Sequence, residues 1–250
     1  MKRITTLTGG RMIVWSYGGG VQSAAIAAMV CHGDLPRPDL AVIADTGREA
    51  ETTWSYLRGV VNPALGRIIE VAPHDLSSVD LYALNGDLLI PAFTQTGKLP
   101  TFCSTEWKRR VVQRWLRQRG VDSCEMWLGI SWDESERCKP SSTSWITHSW
   151  PLIDKRMRRS DCLRVVSEMG WPEPPRSACW MCPLRNDADW LSLTDGDRAR
   201  AEALDLSLRE RDERGGVFLH RSKKPLADRP YAHGQSQVPL DLCDSGHCWT

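Results

Sequence analysis

Two groups of residues in this sequence have types and spacings that suit chemistry. The first is a glycine-rich segment, Ser16-Tyr-Gly-Gly-Gly-Val-Gln-Ser23. Consecutive glycines allow a sharp turn in which several backbone N–H groups point at one anion. The second is Cys179-Trp-Met-Cys182, whose two thiols can face one metal ion or cluster. The sequence therefore predicts a phosphate-binding loop and a cysteine-ligated metal centre.

The neighbours of the glycine-rich segment predict how it is held. An apolar run at 12–15 precedes it and an almost wholly apolar segment at 24–31 follows, which indicates a buried strand, a tight loop and a buried helix. The positive end of that helix and the hydroxyl of Ser23 in its first turn would add to an anion site. The segment lacks both the Walker pattern and Gly-x-Gly-x-x-Gly. A glycine-rich turn without a ligand is the alternative interpretation.

Strand and helix signals alternate through the first half of the chain. Further runs predict the strands 40–44, 67–71 and 125–130 and the helices 49–58, 104–119, 161–169 and 197–212. This alternation is typical of βαβ units and predicts an α/β fold with a parallel, doubly wound sheet. The pattern weakens after about residue 132. We therefore expect a nucleotide-binding core over 1–135, and a loop-rich, cysteine-containing region over 136–250 packed on it.

The glycine-rich segment resembles the Ser-Gly-Gly-x-x-Ser motif of PP-loop ATP pyrophosphatases and PAPS reductases. Gly19, Gly20 and Ser23 match the motif, Gly18 stands where the family has its first serine, and Ser16 is a substitute two residues earlier. Further segments resemble the same family in the same order. They are Ala44-Asp-Thr-Gly-Arg-Glu49 with Thr52, Phe102-Cys-Ser-Thr-Glu-Trp-Lys108, Gly129-Ile-Ser-Trp-Asp-Glu134 with Arg137, Arg159-Ser-Asp-Cys162, Arg176-Ser-Ala-Cys-Trp-Met-Cys-Pro183 and Phe218-Leu-His-Arg-Ser222.

The resemblance implies an adenine nucleotide alpha hydrolase-like fold, a nucleotide (ATP, or PAPS or adenylylsulfate) and Mg²⁺. The residues that it places at the nucleotide are Ser16, Gly18, Gly19, Gly20, Gln22, Ser23, Asp45, Thr46 and Gly47. Those to which we assign catalytic roles are Ser23, Lys108, Asp133 and Arg137. Asp45 at the end of a strand suits ribose or base contacts, but a helix cap followed by a turn is the alternative interpretation.

The chain has nine cysteines, an odd number that favours metal or redox chemistry over a disulfide frame. A 4Fe-4S or Zn site needs four thiolates, and Cys103 and Cys162 are the best further ligands for Cys179 and Cys182. We expect a 4Fe-4S cluster, with Zn as the alternative. If Cys162 does not bind, three ligands leave one iron open. A dithiol redox pair and a structural coincidence are the other interpretations of the Cys-x-x-Cys.

The tail Cys243-Asp-Ser-Gly-His-Cys248 is a second candidate, with His247 as a nitrogen ligand. A flexible tail or a thiol pair explains it equally well. It could also carry the nucleophilic cysteine of a reductase.

Charge and hydropathy indicate whether the protein binds nucleic acids or membranes. The formal net charge of +1 does not indicate a general nucleic-acid binder, although the basic helix 104–119 could contact nucleic acid. A solvated helix face is the alternative for that helix. No run of about 18 apolar residues or secretory signal is visible, so we expect a cytoplasmic protein with no membrane contact.

Three functions follow from these features. The first is an enzyme that adenylates its substrate, releasing pyrophosphate, for transfer of sulfur, with a nucleic acid as one candidate acceptor. The second is a PAPS or adenylylsulfate reductase, which needs a thioredoxin-like reductant. The third is a non-catalytic nucleotide or nucleic-acid binding module with a structural Zn site. The sulfur-transfer enzyme, the first of these functions, also needs a sulfur donor.

Overall fold

The computed structural model describes residues 11–74, 81–83, 85–211 and 216–231. The strands in this part of the chain are β1 Ile13–Ser16, β2 Leu40–Asp45, β3 Glu70–Pro73, β4 Phe93–Thr94, β5 Gly97–Lys98, β6 Cys124–Leu128 and β7 Ile146–Ser149. A five-stranded sheet has the order β3-β2-β1-β6-β7. Every neighbouring pair in it is parallel. β4 and β5 form a separate antiparallel pair.

Helices connect the strands. They are α1 Val21–His32, α2 Glu51–Tyr56, α3 Asn62–Leu65, α4 Arg110–Gln118, α5 Pro151–Asp154, α6 Arg159–Glu168, α7 Asp187–Leu191 and α8 Asp195–Arg211. π-helical turns, Leu57–Val61 and Thr105–Arg109, join α2 to α3 and precede α4. Short 3-10 turns occupy Trp132–Arg137 and Leu226–Asp228. No helix within the described ranges has the length and apolar character needed to span a bilayer.

Two apolar cores cover the two faces of the sheet. On one face, Trp15 and Ile43 pack with the buried side of α1 and with α6. On the other, Val14 and Val42 pack against α4 through residues that include Leu116. Side chains alternate between the faces of a strand, so neighbours such as Val14 and Trp15 serve opposite cores. Helices on both faces confirm the predicted doubly wound α/β class.

The sheet continues beyond the predicted boundary at residue 135. β7 pairs with β6, and α6 packs on α1, so residues from both sides of that boundary build one layered core. A third core joins residues of the C-terminal region, including Trp190 and Leu219, to Trp107 and Ile90. This third core brings residues from before and after residue 135 into contact. The division of the chain near residue 135 stays a prediction.

One predicted strand is displaced along the chain. The sequence predicts a strand over 67–71, but β3 begins at Glu70. α3 ends at Leu65, and its C-cap Gly66 adopts the left-handed region with a φ of 61°. The Ile69 N–H donates to Asn62 Oδ1 at 3.0 Å. This hydrogen bond and the left-handed cap hold residues 67–69 outside the strand.

Candidate active site

The glycine-rich segment forms the turn between β1 and α1, as predicted. Gly19 has a φ of 81°, a conformation that glycine adopts without strain. The Gly18 N–H donates a hydrogen bond to Ser23 Oγ at 2.8 Å, so Ser23 holds the turn from within the helix. Among the described residues, no side chain caps α1 at Gly20 and none in its first turn is acidic. The loop and the helix therefore present N–H dipoles that suit an anion.

Two distant segments pack tightly against this turn. A Cβ added to Gly19 would lie 2.6 Å from Thr53 Cγ2 and 3.2 Å from Ser177 Oγ. Ser177 also donates a hydrogen bond to the Gly18 carbonyl. The loop backbone is thus fixed by α2 on one side and by the segment that leads to Cys179 on the other.

An open cleft with a cavity volume of about 110 Å³ lies over the loop. Its lining includes the ends of three adjacent strands, through Ser16 of β1, Ala44 of β2 and Leu128 of β6. Parallel α/β sheets bind ligands at the carboxyl ends of their strands, where the strand order reverses, and this cleft occupies that position. The cations in its lining are Lys108, Arg137, Arg159 and Arg176. Three of them pair with carboxylates: Lys108 with Glu49, Arg137 with Glu134 and Arg176 with Asp189. Cations outnumber carboxylates among the lining residues, and this excess of positive charge favours an anionic ligand.

A buried carboxylate connects the cleft to a cysteine. Glu49 lines the cleft, and its Oε1 lies 2.9 Å from Lys108 Nζ. The same oxygen accepts hydrogen bonds from Thr46 Oγ1 at 3.3 Å and from Cys179 Sγ at 3.8 Å. Backbone contacts reinforce this junction, because Trp180 N–H donates to the Arg48 carbonyl at 2.8 Å. The cysteine segment is therefore docked directly on the segment that follows β2.

Three cysteines lie near one another at this junction. Burial, the largest cause, and then the Glu49 carboxylate raise the pKa of the Cys179 thiol, and charges on Cys182 and Cys103 raise it further. A reactive redox thiol needs a lowered pKa, so this environment disfavours the dithiol interpretation. No group of three or more His, Cys, Asp or Glu side chains among the described residues is placed to hold a metal ion.

Cys162 lies apart from the other predicted ligands. It is fully buried in the core between the sheet and α6, whereas Cys103 and Cys179 pack against the third core. Burial raises the pKa of Cys162 to about 12, as expected for a thiol among apolar side chains. The structure therefore does not bring together the predicted four-cysteine set, because α6 directs Cys162 into the sheet-facing core.

The segment after β6 supplies a second contact to the loop. Gln22 Nε2 lies 3.5 Å from Ser131 Oγ and 3.4 Å from Glu134 Oε2. Glu134 also accepts a hydrogen bond from Arg137 NH1 at 2.7 Å. Burial raises the pKa of Glu134 to about 7, although Arg137 opposes this shift. A carboxyl group whose pKa is raised by burial is thus in contact with the helix that follows the glycine-rich turn.

The structure gathers most of the predicted nucleotide residues and leaves some outside. The residues from the prediction that line the cleft are Ser16, Gly18, Gly20, Gln22, Ser23, Lys108 and Arg137. Asp45 instead accepts the Gly47 N–H at 2.7 Å, which is the turn geometry of the alternative interpretation, and Thr46 is buried against Cys179. Asp133 is exposed and accepts the Arg159 N–H at 3.1 Å. Nucleotide contacts by these residues stay a prediction.

The cleft also contains residues to which the sequence analysis assigns no nucleotide-binding or catalytic role. Glu49, Arg159, Arg176 and Ser177 all line it. The quoted motifs contain these residues, but the contact between Ser177 and Gly18 joins positions 159 apart in sequence. No spacing pattern indicates such a contact.

Ion pairs and ring contacts occupy much of the predicted basic helix. Arg110 pairs with Glu106, and Arg119 pairs with Glu70 and stacks over Trp115. This agrees with the solvated-face interpretation for these residues. A nucleic-acid partner for the helix stays a prediction. Cys243, His247 and Cys248 lie outside the described residues.

Comparison with known proteins finds similarity among solved structures. No family model and no curated protein matches the chain. One similar structure is phosphoadenylyl-sulfate (PAPS) reductase from Candida auris in a phosphate complex, with 14% identity, a TM-score of 0.46, and coverage of 68% of this chain and 78% of that one. Another is the U34-tRNA thiolase NcsA from Methanococcus maripaludis with its 4Fe-4S cluster, with 12% identity, a TM-score of 0.47, and coverage of 84% and 70%. The similarity concerns the fold, whose class the sheet itself establishes.

Proposed function

We propose that this chain, a PAPS reductase-like protein of the PP-loop fold class, is an enzyme that activates an acceptor by adenylation for transfer of sulfur. The observation that supports this most directly is the contact between Cys179 and Glu49. Glu49 lines the phosphate cleft, so one side chain touches both the predicted nucleotide site and the group of cysteines. Nucleotide and sulfur chemistry would therefore share one site.

In this proposal the loop 16–23 binds the phosphates of ATP through backbone N–H groups. An oxygen of the acceptor attacks the α-phosphorus, the bond to the bridging oxygen breaks, and pyrophosphate leaves. Lys108, Arg137, Arg159 and Arg176 neutralise the charge that develops on the departing phosphates. Mg²⁺ bound to the phosphates would share that role, and Glu49 Oε2, buried without a hydrogen-bond partner among the described residues, is a suitable oxygen ligand for it.

A sulfur nucleophile then displaces AMP from the adenylated acceptor, forming a bond from carbon to sulfur as the bond from carbon to oxygen breaks. Cys103, Cys179 and Cys182 are the residues that would hold a 4Fe-4S cluster, because a cluster spaces its thiolates more widely than a single ion does. Such a cluster would supply an open iron that binds the sulfur. The four-cysteine set with Cys162 does not fit, so only the three-ligand form is proposed.

The test begins with nucleotide turnover by the anaerobically purified protein. Incubation with Mg·ATP, sulfide and bulk tRNA should release pyrophosphate and AMP in equal amounts, with sulfur incorporated into the acceptor. Sulfite release from PAPS or adenylylsulfate, without turnover of ATP, would instead establish the reductase. Absence of any nucleotide binding would contradict both enzymes.

A matched pair of serine variants connects this activity to the cleft. Ser177→Ala removes the hydroxyl that donates to the loop carbonyl of Gly18, and should weaken nucleotide binding about tenfold, equivalent to one net hydrogen bond. Ser207→Ala removes a hydroxyl that donates to the Leu204 carbonyl on the exposed side of α8, and should leave binding unchanged. Equal effects of the two changes would contradict the assignment of the cleft.

A further inference from the structure

Glu134 connects the start of α1 to a cation of the cleft. Its Oε2 atom lies 3.4 Å from Gln22 Nε2 and accepts a hydrogen bond from Arg137 NH1 at 2.7 Å. The side chain of Glu134 is 12% exposed and that of Arg137 is 6% exposed. Gln22 and Arg137 both line the cleft. One mostly buried carboxylate therefore contacts two residues that would meet the ligand.

The Arg137 guanidinium has one N–H group that donates no hydrogen bond to the described residues. Its Nε is buried and has no hydrogen-bond partner among the described residues. A buried N–H without an acceptor is unfavourable, so the guanidinium keeps one donor that its present partners do not satisfy. Glu134 already forms an ion pair with this guanidinium. A phosphate group in the cleft would therefore compete with the Glu134 carboxylate for the positive charge of Arg137.

We propose that Glu134 is a positioning residue that competes with the nucleotide phosphates for Arg137. With its charge present, the carboxylate holds Arg137 and weakens the attraction of the cleft for anions. When Glu134 is neutral, it still contacts Gln22, but the positive charge of Arg137 acts on the ligand alone. This inference rests on the proposed function, because it takes the cleft to be the nucleotide site.

The charges around Glu134 allow this change within the physiological pH range. Burial raises its pKa to about 7, Arg137 and Arg159 lower it, and Asp133 raises it. Other groups on the packed elements are the Cys162 thiol of α6 and the exposed Asp154 at the end of α5. A bound phosphate adds negative charge nearby and would raise this pKa further. The protein should therefore take up a proton at Glu134 as the nucleotide binds.

The test compares the affinity of Mg·ATP for the wild-type protein and for Glu134→Gln by calorimetry. At about pH 6 the two affinities should agree. At about pH 8.5 Glu134→Gln should bind about three- to tenfold more tightly, because no carboxylate then competes with the phosphates for Arg137. Each comparison is made at one pH, so titration of ATP itself cancels. Glu136→Gln removes a charge from an exposed position of the same segment and should bind as the wild type does at both pH values.

A double substitution separates competition from simple structural support. In an Arg137→Gln background, Glu134→Gln should no longer change the affinity at any pH, because the cation for which it competes is gone. Weaker binding by Glu134→Gln at both pH values, or an unchanged affinity at about pH 8.5, would overturn the inference while leaving the nucleotide site intact. Failure of the wild-type protein to bind nucleotide would overturn the proposed function as well.

A measurement on the folded wild-type protein avoids dependence on the stability of the Glu134 variant. Proton uptake on binding of Mg·ATP near pH 7 is obtained from calorimetry in buffers of different ionisation enthalpy. Uptake should be larger for the wild type than for Arg137→Gln. Equal uptake by the two proteins would contradict the competition.

Discussion

Lys108 and Glu49 form an ion pair beneath the candidate nucleotide site, with 2.9 Å between Lys108 Nζ and Glu49 Oε1. The lysine side chain is 15% exposed and the glutamate side chain 2%. Removing one member of a pair this deeply buried takes the nearest opposite charge away from the other member. Glu49 also accepts a hydrogen bond from the Cys179 thiol. The pair should therefore affect both the stability of the fold and the environment of that cysteine.

Glu49→Gln should lower the free energy of unfolding by about 3 kcal/mol, since Lys108 would keep its charge in a partly buried position. Urea denaturation of the apoprotein measures this change. Glu51→Gln is the matched control, because Glu51 pairs with Arg58 where both side chains are more than half exposed, at 51% and 61%. That control should cost less than about 1 kcal/mol. Similar losses for both variants would contradict the buried pair.

Gly19→Ala should abolish nucleotide binding and destabilise the fold by about 1–3 kcal/mol, because the φ of 81° is unfavourable for alanine. The new Cβ would also lie 2.6 Å from Thr53 Cγ2, so the loop or α2 must move. Binding of Mg·ATP and thermal unfolding measure the two effects. Gly59→Ala meets no heavy atom within 4 Å and lies in a helical turn, so it should be neutral or stabilise by up to about 1 kcal/mol.

Substitution of single cysteines should distinguish three ligands from four. Cys103→Ser, Cys179→Ser and Cys182→Ser should each remove most of the iron and acid-labile sulfide from anaerobically purified protein. Cys162→Ala should retain both while lowering the free energy of unfolding by about 1–2 kcal/mol, because it leaves a small cavity in the core. Loss of iron from Cys162→Ala alone would contradict the three-cysteine site.

Stability should fall as pH rises through the titration of Glu134. Its pKa is raised from 4.5 to about 7 in the folded protein, so between these values the folded state binds more protons than the unfolded state. The free energy of unfolding therefore decreases as pH rises from 4.5 to about 7 and is lowest above that range. The total decrease should be about 1–2 kcal/mol after allowance for solvent screening. Denaturation from about pH 4.5 to about pH 8 measures this trend, and Glu134→Gln should reduce its slope. An unchanged slope would argue against the raised pKa.

Much of the fold was predictable because its signals are local. The strand, glycine turn and apolar helix at β1 and α1 follow from residue types that are adjacent in sequence. β7 was missed because its sequence, Ile146-Thr-His-Ser149, has one buried apolar residue and no apolar run. Pairing with the backbone of β6 makes it a strand, and that partner is distant in sequence.

The sequence by itself determined the α/β class, the glycine-rich turn after β1 and the chemical types available at the site. Glycine flexibility, apolar periodicity and thiol chemistry are properties of the residues themselves. Tertiary structure alone decided which of these residues meet. It placed Ser177 on the loop, joined Glu49 to Cys179, and set Glu134 between Gln22 and Arg137. It also separated Cys162 from the other cysteines, because the face of α6 that packs on the sheet is fixed by long-range packing.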